Sequence, residues 1–186
     1  GIARRAEKGI ELRVHPTLIP DEQLIANVNG VKNAVLAQAN AVGPTLYYGA
    51  GAGAGPTASA VVADVIDIVR DISYTEDGAG TIPQLAFEAL TNMPILSREE
   101  MTTGYYIRLN AEDQTGVLAD VTTILSRAGI SIDAIMQQSR LKDLIPIVIL
   151  TDPIVESKMD DALAQIQALP AIRGEIVRIR LESLDS

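Results

Sequence analysis

Residues 105–134, YYIRLNAEDQTGVLADVTTILSRAGISIDA, contain the pattern that decides the fold. Tyr105, Ile107 and Leu109 alternate with more polar neighbours, which is typical of a strand with one buried face. The apolar spacing then changes to that of an amphipathic helix, and Gly129 is placed to end it. A second strand is expected directly after this glycine. The apolar helix positions are Val117, Leu118, Val121, Ile124, Leu125 and Ala128.

The following region continues this order of elements. Residues 144–150 are almost entirely apolar and predict a third strand, joined to the second by a hairpin turn near Lys142 and Asp143. A second helical stripe ends at Pro170, and residues 177–182 alternate as a last strand. The predicted order is βαββαβ over residues 103–182, a ferredoxin-like sandwich with two helices on one face of a four-stranded sheet.

The N-terminal region has a different organisation. Residues 9–14 alternate and predict a half-buried strand, with Glu11 and Arg13 on the face away from the core. The apolar residues expected to face the core are Ile10, Leu12 and Val14.

A short sheet and one helix are predicted next. Residues 31–37 and 45–48 suit strands, and apolar residues at helical spacing follow from Ala58 to Val69, with Pro56 in the first turn. Three short strands and one helix cannot cover both faces of a sheet. We therefore expect residues 1–73 to be an incomplete remnant of a larger α/β domain, which makes the whole chain α+β.

Residues 74–102 lose regular spacing and contain several glycines and prolines, which predicts a linker. The stretch keeps many apolar side chains, so we expect it to pack along a surface. The chain begins at Gly1 directly in strand-like sequence, and this start is interpreted as a cut end.

The composition excludes several classes of function. The net charge is -9, from 24 acidic and 15 basic residues, without a run of Lys or Arg to neutralise phosphates, so no nucleic-acid partner is expected. No apolar stretch reaches the roughly 18 residues that a membrane span needs. The absence of cysteine suits a reducing compartment and favours a cytoplasmic location. A single histidine, His15, argues against histidine metal sites and Ser-His catalysis, and no metal is expected.

The alternating glycines of GAGAGAGP, residues 49–56, lie between a predicted strand and a predicted helix. They loosely satisfy the dinucleotide pattern G-x-G-x-x-G/A, but the second strand and its acidic residue, expected about twenty residues later, are missing. Two interpretations remain from spacing alone. A tight crossover with close backbone packing is favoured over a turn that contacts a ligand.

The loop NAEDQTGVLA, residues 110–119, joins the first strand of the C-terminal region to its first helix. Asp113 is placed to accept N–H groups of the helix start, and Gly116 permits close approach of another molecule to the backbone. A capped helix start and a small-molecule site are both compatible with this loop.

Residues 43–71, GPTLYYGAGAGAGPTASAVVADVIDIVRD, resemble the end of the catalytic region of homoserine dehydrogenases. IELRVHPTLIP and NGVKNAVL, which precede them, resemble the same family. The resemblance implies an NAD(P)-dependent oxidoreductase that interconverts L-homoserine and L-aspartate 4-semialdehyde in threonine, methionine and isoleucine biosynthesis. It also implies that Gly53 contacts the cofactor, with Gly51 and Ala52 beside it.

In that family the catalytic lysine and the dinucleotide fold precede the matching segment. No catalytic residue is therefore expected in this chain. By itself the chain is expected to be inactive and to bind no NAD(P).

The loop over residues 110–119 resembles the signature of ACT regulatory domains, with Thr115 where many members have proline. This resemblance implies an amino-acid effector, threonine in homoserine dehydrogenases, and a homo-oligomer formed by ACT and catalytic-region contacts. An alternative is a stand-alone amino-acid-binding ACT module with no catalytic role. The residues expected at the effector are Asn110, Asp113, Gly116, Val117 and Leu118, with Ile130 and Ile132 on the opposing wall.

Overall fold

The computed structural model of the 186-residue chain describes residues 1–74, 92–137 and 144–184. The predicted hairpin turn at Lys142 and Asp143 lies outside these residues. So does most of the predicted linker.

The described chain divides into two compact units. Gly1–Pro20 and Met93–Ser186 form the larger unit, and Asp21–Asn92 form the smaller one. Residues 1–20 therefore pack in the same unit as the C-terminal region. The predicted domain limits of 1–73, 74–102 and 103–182 follow sequence character instead, and they stay a prediction.

The N-terminal segment of the larger unit forms a hairpin and a short strand. β1 (Ile2–Ala6) pairs antiparallel with β2 (Gly9–Arg13). β3 (Thr17–Leu18) follows after Pro16.

The smaller unit contains the elements that spacing predicts. β4 (Lys32–Ala39) and β5 (Gly43–Ala50) form an antiparallel hairpin. The alternating glycines of residues 49–56, which we call the glycine turn, lead into α1 (Ala54–Tyr74). None of the described side chains of α1 is buried. Its exposed apolar side chains are Val61, Val62, Val65, Ile66, Ile68, Val69 and Ile72.

The C-terminal region has the predicted βαββαβ order. Its elements are β6 (Thr102–Glu112), α2 (Val117–Arg127), β7 (Ile132–Gln137), β8 (Leu144–Val155), α3 (Glu156–Gln167) and β9 (Ile172–Leu181).

The sheet of the larger unit has the strand order β3-β9-β6-β8-β7. β6 pairs antiparallel with β8 and β9, and β7 pairs antiparallel with β8. The four-stranded part confirms the predicted sandwich. β3 adds an unpredicted fifth strand, parallel to the end of β9, with Thr17 opposite Arg180 and Leu18 opposite Leu181.

The core lies between the sheet and the two helices. Its strand side is the predicted face of β6, where Tyr105 and Ile107 have no exposed surface. Its helix side is the apolar stripes of α2 and α3, which include Val121, Leu125 and Ile166. The periodicity of the sequence and the buried faces therefore agree in β6, α2 and α3.

The two faces of β2 are opposite to the prediction. Glu11 and Arg13 are buried, at 4% and 6% exposure, whereas Leu12 is 45% and Val14 is 89% exposed. The expectation that Leu12 and Val14 face the core is wrong. The charged face is buried because Arg13 pairs with both Glu11 and Glu182, so each charge enters the interior with a partner.

A second buried charge stands at the start of α3. Glu156 has no exposed surface, and the Tyr105 hydroxyl donates a hydrogen bond to its Oε2 at 2.7 Å. Burial alone would raise the pKa of this carboxyl, but hydrogen bonds from Arg180 and Tyr105 outweigh it and lower the pKa to about 2. Glu156 is therefore ionised inside the fold at neutral pH.

Replacing Glu156 with glutamine should lower the free energy of unfolding by about 3 kcal/mol at pH 7, which corresponds to the pKa change from 4.5 to about 2. A carboxyl group whose pKa is lowered by folding stabilises the fold at pH values above its unfolded-state pKa. This stabilisation is lost as the pH falls through the folded-state pKa. The difference between wild type and Glu156→Gln should thus shrink between about pH 4.5 and about pH 2. Urea denaturation followed by circular dichroism at several pH values measures it.

The exposed Glu175 provides the matched control, because Glu175→Gln should change the unfolding free energy little at either pH. A difference between wild type and Glu156→Gln that is equal at pH 7 and pH 2.5 would contradict the assignment of an ionised, stabilising carboxylate.

Candidate functional site

The loop between β6 and α2 leaves the backbone open at Gly116. This residue is the N-cap of α2 and has a φ of 98°, which favours glycine strongly. A Cβ built there would meet no atom within 4 Å. Glycine is therefore required by the backbone angle, and the space beside it is free for a ligand.

A small cavity of about 50 Å³ lies next to this loop. It is formed by the end of β6, the start of α2, the end of β7 and the start of β8. This volume holds a few water molecules, whereas ligand pockets usually measure roughly 300 Å³ or more. The residues lining it are Ala111, Glu112, Asp113, Gln114, Val117, Leu118, Gln137, Ile145 and Ile147.

The polar rim of the cavity is partly paired already. Arg173 forms an ion pair with Glu112 and donates to the Pro170 carbonyl at 2.6 Å. Gln114 Nε2 donates to Glu112 Oε2 at 2.6 Å. The charge of Glu112 is therefore compensated within the chain.

The structure brings part of the predicted effector set together. Asp113, Val117 and Leu118 line the cavity, and Gly116 adjoins them. Asn110 lies on β6, one residue before the first lining residue.

Ile130 and Ile132 are placed elsewhere in the same chain. Ile130 belongs to the buried core, and Ile132 begins β7, whereas the cavity adjoins Gln137 at the other end of that strand. Their role as an opposing wall stays a prediction.

Several lining residues were missed by the sequence analysis, chiefly Gln114, Gln137, Ile145 and Ile147. The register of the paired strands explains how Gln137, Ile145 and Ile147 reach the cavity. β8 pairs Ile145 with Ala111 and Ile147 with Gln137, and only the paired sheet brings these positions together.

The glycine turn before α1 has two kinds of glycine. Gly53 has a φ of 125°, and a Cβ at Gly51 would overlap the side-chain amide of Asn33 on β4. A Cβ at Gly49 or Gly55 would meet nothing within 4 Å. Close packing thus accounts for Gly51, as in a tight crossover, while other parts of the turn remain open for contact with a ligand.

The described residues contain no helix long and apolar enough to cross a membrane. They also contain no cluster of three or more side chains suited to hold a metal ion.

Two family models match different parts of the chain. Residues 1–66 match the family described as homoserine dehydrogenase, and residues 105–170 match the ACT domain. The chain is 52% identical to a homoserine dehydrogenase of Pseudomonas aeruginosa, and the alignment covers 100% of this chain and 43% of that protein. It is 48% identical to one of Neisseria gonorrhoeae, over 99% of this chain and 42% of that protein.

A solved structure shows the same similarity. The homoserine dehydrogenase of Thiobacillus denitrificans is 54% identical, with a TM-score of 0.88 over 98% of this chain and 41% of that chain. The chain thus spans about two fifths of the length of the relatives that it matches.

Gly51→Ala should raise exchange in the glycine turn modestly, because the new methyl group overlaps the exposed side chain of Asn33 and forces it into another rotamer, and Asn33→Ala should remove the effect in the double variant. Hydrogen–deuterium exchange of β4, β5 and the first turn of α1 measures the effect. Gly55→Ala is the control with open space, and its exchange should match the wild type. Equal exchange in Gly51→Ala and Gly55→Ala would contradict the packing described.

Proposed function

We propose that this chain, which carries a homoserine dehydrogenase segment followed by an ACT domain, is the C-terminal part of an enzyme that interconverts L-homoserine and L-aspartate 4-semialdehyde with NAD(P). The observation that carries the proposal is the similarity to homoserine dehydrogenases over essentially the whole chain. The reaction serves threonine, methionine and isoleucine biosynthesis. A cytoplasmic location is proposed with it, since the chain contains no cysteine.

The smaller unit supports the idea that more of the enzyme is needed for catalysis. α1 exposes its apolar face, which lies opposite Asp64, Asp67 and Arg70, and Val35, Tyr47 and Tyr48 of the β4–β5 hairpin are exposed as well. An apolar helix face of this size is normally packed against other protein. We infer that other parts of the enzyme, including its catalytic residues, cover this unit.

The glycine turn is proposed as the contribution of this chain to cofactor binding. Gly51, Ala52 and Gly53 would touch the nicotinamide cofactor through their backbone, because the glycines remove side chains that would keep it away. The cofactor supplies the hydride chemistry when bound. The rest of its site is expected outside this chain, so we expect no NAD(P) to bind the chain alone.

The loop before α2 is proposed as the effector site. The N–H groups at the start of α2 suit a carboxylate, and Asp113 suits an ammonium group, so the pair fits an α-amino acid. Val117 and Leu118 provide apolar contact for a small side chain. Threonine, as a product of the pathway, is the proposed effector.

A second copy of the chain is proposed to complete this site. The cavity in one chain is smaller than an amino acid needs, and it adjoins Gln137 on β7, an edge strand of the described sheet. The neighbouring side chains Ile135 and Met136 are 40% and 53% exposed. An edge strand with exposed apolar side chains favours association of copies, which agrees with a homo-oligomer.

The alternative is a stand-alone amino-acid-binding module without a catalytic role. The core of the larger unit favours it, because this core is closed without help from the smaller unit.

The two proposals differ in the activity of longer forms of the protein. Homoserine oxidation, followed as NAD(P)H absorbance, should be absent from the 186-residue chain and present in the longer protein that contains it. Activity in the chain alone would show that the catalytic residues lie within it, and an inactive longer protein would favour the alternative.

Calorimetric titration of the chain with single amino acids tests the effector site. Threonine should bind, and Asp113→Asn should weaken it by roughly tenfold, which equals about 1.4 kcal/mol. Asp161→Asn on the exposed side of α3 is the matched control and should leave binding unchanged. Tighter binding of another amino acid would exclude threonine, and equal binding by both variants would exclude Asp113.

A further inference from the structure

A cluster of charged side chains lies at the end of the ACT sheet opposite the cavity. It centres on the buried Glu156, and we call it the Glu156 cluster. Arg180 Nε donates to Glu156 Oε2 at 2.9 Å, and Arg98 donates to Oε1 through Nε and Nη2, each at 3.2 Å. The cluster consists of Arg98, Tyr105, Glu156, Asp160, Arg178 and Arg180.

Stability alone does not account for such a cluster. Buried ion pairs are often no more stabilising than apolar side chains of equal volume, because each charge must first lose its water. A saturated cluster fixes geometry instead, since the Glu156 carboxylate tolerates burial only while its partners stay in place. The start of α3, the start of β6 and the end of β9 are thereby held in one arrangement.

Arg98 differs from the other members in its place along the chain. Of the six cluster residues it alone precedes the ACT match, in a short 3-10 turn (Arg98–Glu100) that leads into β6. The turn is closed by Ser97 N, which donates to Glu100 Oε2 at 3.1 Å. Glu156 N donates to the Met101 carbonyl at 2.8 Å, which fastens the end of this stretch to α3.

The same stretch is fastened to the homoserine dehydrogenase segment on its other side. Ile10 N of β2 donates to the Pro94 carbonyl at 2.8 Å, and Leu96 N donates to the Ile10 carbonyl at 2.9 Å. Residues 94–101 therefore lie between β2 and α3. A displacement of α3 relative to β2 has to break or move these contacts.

β8 connects this region to the effector cavity. Its first residues, including Ile145 and Ile147, line the cavity, and its last residue, Val155, precedes Glu156 directly. β6 spans the same distance in the other direction, from Tyr105 in the Glu156 cluster to Ala111 at the cavity. Two hydrogen-bonded strands thus join the two sites without an intervening loop.

We propose that Arg98 is the positioning residue that couples the ACT effector site to the homoserine dehydrogenase segment, through its hydrogen bonds to Glu156. Ligand binding shifts β8 and the start of α3, and Arg98 passes the shift to residues 94–101 and on to β2. The proposal rests on the function proposed above, because it needs an effector and an activity to couple.

The test uses the longer enzyme with Arg98→Met, a change that keeps an unbranched stem and removes the hydrogen-bond donors. The variant should keep its activity without effector and its Kd for threonine, while inhibition by threonine weakens at least about fivefold, the lower end of usual allosteric coupling. Arg108→Met on β6 is the matched control, because Arg108 is exposed, and inhibition should stay at the wild-type level.

Arg98→Lys separates coupling from general loosening of the fold. Lysine keeps the charge but cannot donate through two nitrogens to one carboxylate, so inhibition should be intermediate while the melting temperature stays near that of the wild type. This variant also replaces Arg98→Met should the latter fail to fold.

The outcomes distinguish the two proposals. A wild-type enzyme that threonine inhibits, together with equally inhibited Arg98 variants, overturns the coupling proposal alone. A wild-type enzyme that threonine neither binds nor inhibits overturns the proposed threonine effector site, and the coupling proposal falls with it, whereas the proposed catalytic function is tested separately by homoserine oxidation.

Discussion

The burial of the Glu156 carboxylate is the constraint on which the larger unit depends. A buried carboxylate needs hydrogen-bond donors around both of its oxygens, and here the donors come from β6, β9 and the turn before β6. This requirement explains a feature of β9 that alternation alone does not. Arg178 and Arg180 pair in register with Ile107 and Tyr105, so the charged side chains of the strand face the helices.

The sequence predicted those parts of the fold in which neighbouring residues share one environment. β6 and α2 have clear periods because each packs one face on the same core. The same reasoning failed for β2, because Glu11 and Arg13 have the composition of a solvent-exposed face. Their burial depends on Glu182, which lies 169 residues after Arg13 and pairs with it. β3 has two residues and therefore no period to detect.

The candidate site was predicted to a similar extent and for a similar reason. Asp113, Gly116 and Leu118 stand in one continuous stretch of sequence, where spacing suggests both a helix start and an open backbone. Gln137 and Ile147 reach the cavity only through the pairing of β7 with β8. Strand register is a property of the folded sheet, and a single sequence gives no direct measure of it.

The fifth strand of the sheet makes the unit that contains the ACT match discontinuous along the chain. β3 covers the end of β9, while Arg4 and Arg13 neutralise the buried Glu182 just beyond it. A domain swap that moves residues 102–182 without residues 1–20 would leave the edge of β9 bare and the Glu182 carboxylate without Arg4 and Arg13. Transfer of this unit into another protein therefore requires the first twenty residues as well.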